Sequence, residues 1–244
     1  MLKPYNVWGV IKFRANSFIE LGCVNRAIEE YTKFIDGRDH WMQTFYERGC
    51  CYMLRSEWIS AIVDLSCVIN TCSGTVNNDA SVNGESYISD DFDMRYCEFL
   101  SAVCFYHNGQ HTRTLKILNA LTSSEFIGDK KYWDKVYGLK GLCYVMDNKF
   151  DEAKKQFELA IEASPDVADY HWNLGRGLCG RDFFATPLNH DGISEIFKPY
   201  YEKAIELDPT YFANLKFRYV DNFIKVGNMF KGTVKGGWVY APES

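Results

Sequence analysis

Apolar residues recur at helical spacing along most of the chain. Ala153, Phe157, Ala160 and Ile161 fall at i, i+4, i+7 and i+8, one stripe of a helix with 3.6 residues per turn. Asp147 and Asn148 close the helix before this stripe, Lys149 turns the chain, and Pro165 ends the second helix. The same stripe returns near the C-terminus. There Tyr201, Ala204, Ile205, Asp208 and Pro209 echo Phe157, Ala160, Ile161, Ser164 and Pro165. No segment shows the period of two expected of a half-buried strand, so the pattern predicts an all-α chain.

A small residue where two helices cross is a ruler for repeats. Ala15 and Ala27 are 12 positions apart, as are Gly49 and Ala61, Ala102 and Thr114, and Gly141 and Ala153. The first two pairs are offset by 34 residues, and so are Gly141 and Gly175. Large residues follow the small ones at Phe18, Tyr52, Phe105, Tyr144 and Leu178. Residues 45–69, FYERGCCYMLRSEWISAIVDLSCVI, and 136–166, VYGLKGLCYVMDNKFDEAKKQFELAIEASPD, carry the pattern most fully.

This period resembles the tetratricopeptide repeat, a helix-turn-helix unit with small residues at the helix crossing. The resemblance covers about residues 7 to 226 and implies a right-handed α-solenoid of stacked helix pairs. Repeat 1 is expected from Asn6 or Val7, with Asn6 as the helix cap, to Asp36. Repeat 2 spans His40 to Thr71, and repeat 3 spans Asp93 to Leu121 with Gly109 at its turn. Repeat 4 runs from Lys131 to Pro165. Repeat 5 begins with Asp166 as cap and has its second helix from Ser194 to Leu207. A last helix, Tyr211 to Val226, would close the stack, and a Gly-rich tail follows at 227–244. Two insertions interrupt the period: a polar one at about 73–91, and one at about 181–192 that carries Phe183 and Phe184.

In that family the first helix of each pair lines a concave groove. Carried over position by position, the resemblance implies a groove with Lys12, Phe13 and Asn16, then Tyr46 and Glu47. Tyr96, Phe99, Leu100 and Tyr106 follow from repeat 3, and Leu142 from repeat 4. Trp172, Asn173 and Arg176 come from repeat 5, and Lys216 and Phe217 from the last helix. Such a groove takes a helix or peptide segment of a partner protein. A scaffold or adaptor within a larger assembly is the function implied, with no catalysis and no cofactor.

A variant of the family clamps the C-terminal carboxylate of a chaperone, as co-chaperones do. It uses Lys and Asn four apart in the first helix, Asn in the second, and Lys and Arg in the third. Lys12 and Asn16 fit. Glu47 stands in place of the second Asn, and Tyr96 and Leu100 replace the two cations, so tight binding of an anionic terminus is not expected. The net charge of −5 also argues against a helical-repeat groove for RNA.

Composition changes this picture little. Nine cysteines occur without a CxxC pair, which suits buried thiols in a reducing compartment better than a zinc or redox centre. No apolar run is long enough to span a bilayer, and the N-terminus lacks an uninterrupted apolar signal region, so a cytoplasmic location is expected. His107 and His111 flank a turn and are expected to be exposed to solvent. His190 and Asp191 have no accompanying nucleophile motif, and Asp90, Asp91 and Asp93 suit a helix start better than a calcium loop.

Overall fold

The protein is described here by a computed structural model covering residues 4–36, 42–72, 93–123, 132–179 and 195–210, without the side chains of residues 4–8, Arg176 and Cys179. All regular structure among these residues is α-helical. The helices are α1 (Pro4–Glu20), α2 (Val24–Asp36), α3 (Met42–Leu54), α4 (Trp58–Cys72) and α5 (Met94–His107). They continue as α6 (His111–Leu121), α7 (Trp133–Met146), α8 (Phe150–Ala163), α9 (Ala168–Cys179) and α10 (Lys198–Leu207). The two insertions and the expected last helix and tail lie outside the described residues.

Several helix starts differ from expectation, each for a local reason. α1 opens at Pro4, whose fixed φ and missing N–H suit a first turn, so Asn6 lies inside the helix and does not cap it. α10 begins at Lys198, four residues later than expected, with Pro199 in its first turn. Asp166 sits in the turn before α9, which starts two residues further on at Ala168. Asp93 does cap its helix: its Oδ1 accepts the Tyr96 N–H at 3.0 Å.

The turns inside the first four hairpins share one backbone device. Gly22, Ser56, Gly109 and Asn148 all have positive φ, between 58° and 76°. The next residue then donates its N–H five residues back: Cys23 to Phe18, Glu57 to Tyr52, Gln110 to Phe105 and Lys149 to Tyr144, at 2.7–2.9 Å. This left-handed closure satisfies helix carbonyls that the ended helix leaves open. The four acceptors are the large residues that follow the small crossing positions in sequence. The repeat is therefore written in the main chain as well as in the side chains.

The chain divides into two compact units, with the boundary inside α5 between Cys104 and Phe105. In the first, α2 packs between α1 and α3, and α3 packs on α4. In the second, α6, α7, α8, α9 and α10 each pack on the next. Ala15, Ala27, Ala61 and Ala153 have no exposed surface, as crossing points require, and Ala102 and Thr114 are each buried too. At Gly49 a Cβ would lie 3.3 Å from the Leu65 side chain; at Gly141 it would meet Phe157 at 2.5 Å, and at Gly175 Phe197 at 2.5 Å. A larger residue at these last two positions would need the facing ring to move.

Candidate partner-binding face

The first-helix face of unit one is built around a buried carboxylate. Glu47 of α3 has no exposed surface. Its Oε2 accepts the hydroxyl of Tyr31 from α2 at 2.8 Å, and its Oε1 accepts Gln43 Nε2 at 2.9 Å. Lys12 Nζ of α1 approaches the same Oε1 to 3.1 Å. One carboxylate thus ties three helices, and its desolvation is offset by a cation and two neutral donors. Burial, with the Glu47 charge beside it, pushes the Tyr31 hydroxyl far above its ordinary range, so it remains a donor.

Neighbouring polar links obey one register. Arg14 of α1 reaches Glu30 of α2 at 3.1 Å. Arg48 of α3 binds both oxygens of Asp64 of α4 at 2.8 Å and donates to Thr32 of α2 at 3.1 Å. The pairs Arg14–Glu30, Tyr31–Glu47, Thr32–Arg48 and Arg48–Asp64 are all 16 residues apart. That is close to half of a 34-residue repeat, the offset between one helix and the next. The offset is readable in the sequence and would have identified Tyr31 as the partner of Glu47.

The residues assigned to the groove fall into three groups. Tyr46, Tyr96, Phe99, Leu100, Leu142, Trp172 and Asn173 are buried, with Leu100 fully enclosed and Phe99 only 1% exposed. Tyr96 and Phe99 stack with ring centroids 6.0 Å apart. Trp172 meets Phe197 edge-on at 4.9 Å and Tyr201 at 6.3 Å, inside the α9–α10 hairpin. Asn173 turns its amide back to the carbonyl of Asp169 at 2.7 Å. Asn16 Oδ1 is sealed from solvent with no hydrogen-bond partner among the described residues. Accessible positions are Lys12, Phe13 and, half-buried, Tyr106. Lys216 and Phe217 lie outside the described residues, as does the side chain of Arg176.

In unit two the first helices of successive pairs meet at Gly138. A Cβ there would come within 2.7 Å of the Tyr170 ring, and the glycine lets the Tyr170 hydroxyl reach Asp134 Oδ2 at 3.0 Å. Lys140 is buried and donates to Thr122 Oγ1 at 2.6 Å. Thr122 closes the C-terminus of α6, where the helix dipole favours a cation. Burial nevertheless lowers the Lys140 ammonium to about 8.

The two turn histidines are not solvent-exposed as the sequence suggested. Both are half-buried, and burial lowers His107 to about 4. His111 Nδ1 lies 3.9 Å from Asp147 Oδ1, and its ring is 5.5 Å from that of Tyr106. The turn is short enough that both rings pack beside the hairpin they flank.

Cys50, Cys51, Cys97, Cys104 and Cys143 are buried free thiols, and burial pushes Cys104 and Cys143 up to about 12. These are poor nucleophiles that pack as small apolar groups. Among the described residues no three His, Cys, Asp or Glu side chains are grouped to hold a metal ion. No described helix is long and apolar enough to cross a membrane.

Comparison with known proteins agrees with this construction. Residues 134–167 match the tetratricopeptide repeat, the segment that holds α7 and α8. Over 145 residues the chain is 23% identical to Superkiller complex protein 3 of Homo sapiens, covering 59% of this chain and only 8% of that protein. Among solved structures, MamA from Desulfovibrio magneticus superposes with a TM-score of 0.58 at 14% identity, covering 83% of this chain and 95% of that one. A putative kinesin light chain from Podosopora anserina gives 0.58 at 12% identity, covering 89% of this chain and all of that one. YrrB, described as a tetratricopeptide-repeat protein with an unusual peptide-binding site, gives 0.52 at 17% identity, with 83% and 87% covered. At these identities the superpositions speak for the fold. With the crossing residues, the repeated turn closure and the matched repeat at 134–167, they give this chain the all-α fold of tetratricopeptide-repeat solenoids.

Proposed function

We propose that this protein is a non-catalytic scaffold that binds a segment of a partner protein along the first-helix faces of its hairpins, as a cytoplasmic subunit of a larger assembly. The reading is carried by the repeat architecture itself, in which each hairpin buries one face on its neighbours and leaves another free for a ligand. The name of the human relative, a complex protein, and the peptide-binding site of YrrB point the same way. In unit one the contact surface is drawn from Lys12 and Phe13, and in unit two from Tyr106; Arg176, Lys216 and Phe217 enter only as positions of the predicted groove. The buried members, Phe99 and Trp172 among them, act through the fold that holds this surface.

Affinity purification of the tagged chain with mass spectrometry identifies the partner. A pull-down with Phe13→Asp and Tyr106→Ala variants then tests the face, after circular dichroism confirms that each still folds. Loss of the partner is expected. Undiminished recovery with both variants would sink the proposed surface.

A co-chaperone that clamps an acidic terminus is less well supported. Lys12, the one cation in place for it, is already engaged by Glu47. RNA binding finds support only in scattered cations on an acidic chain.

A further inference from the structure

We draw no further inference here: the strongest candidate, the exposed apolar patch of Val10 and Phe13 on α1 with Leu21 in the turn after it, shares Phe13 with the face already proposed, and nothing in the structure shows what covers the rest.

Discussion

Lys12 Nζ lies 3.1 Å from Oε1 of Glu47, a carboxylate with no exposed surface. The cation that a carboxylate-binding groove would offer to a ligand is thus neutralised from within. A peptide ending in two acidic residues is expected to show no salt-sensitive binding in a fluorescence titration. Substituting Glu47→Leu removes the charge and leaves the Tyr31 hydroxyl and the Gln43 amide without their acceptor. Loss of the buried Tyr31–Glu47 hydrogen bond costs about 1–3 kcal/mol. Urea denaturation should show a clear drop in midpoint, and an unchanged midpoint would refute the role given to Glu47.

Arg48 and Asp64 make a two-pronged ion pair with side chains only 15% and 3% exposed. Arg48→Met would leave the Asp64 carboxylate buried and uncompensated, a loss of about 3–5 kcal/mol. The double variant Arg48→Met with Asp64→Leu should recover much of that loss, because no buried charge then remains. If the double variant is as unstable as the single one, the pair is not the source of the effect.

Gly141 faces the Phe157 ring so closely that a Cβ would come within 2.5 Å of it. Gly141→Leu is expected to destabilise by about 1–3 kcal/mol through overpacking. Combining the milder Gly141→Ala with Phe157→Leu should lose less than the sum of the two single changes. Strict additivity in thermal melts would show that the two side chains do not compete for one volume.

The hairpin turns predict opposite effects from opposite substitutions. Ser56 holds φ at 59° without being glycine, and Gly109 holds 75°. Placing an L side chain in the left-handed region costs about 1–2 kcal/mol. Ser56→Gly should therefore raise the denaturation midpoint and Gly109→Ala should lower it. A drop for Ser56→Gly would mean that its side chain contributes more than its backbone strain costs.

Burial of His107 lowers it from 6.5 to about 4. Between those values the unfolded chain binds more protons at this site than the folded one. Stability from His107 is therefore present above pH 6.5 and lost as the pH falls toward 4. Lys140 works at the other end: lowered from 10.5 to about 8, it makes stability rise as the pH climbs from 8 to 10.5. Equilibrium unfolding across both windows, with His107→Gln and Lys140→Met as controls, should show each slope flattened only in its own variant.

The crossing residues show how far periodicity reaches. Gly49, Gly141 and Gly175 stand where a small residue is needed because two helices at a fixed separation have one point of nearest approach, and that point recurs with the repeat. Glu47 marks where such reasoning stops. In the sequence it replaces an expected Asn on a groove face; in the structure it is enclosed and ties three helices. The groove pattern also includes Phe99 and Trp172, and both are core. A helical period gives the direction in which a side chain points along its own helix. It carries no information on whether a neighbouring helix stands there.

The chain's order of residues determined the helices, their pairing into hairpins and the small residues at the crossings, because these follow from local propensity and from spacing along one chain. Tertiary structure alone decided which groove residues are enclosed, that Lys12 is spent on Glu47, and that His107 is desolvated. Those outcomes depend on distances between helices tens of residues apart, and solvent exclusion arises only when the helices have packed.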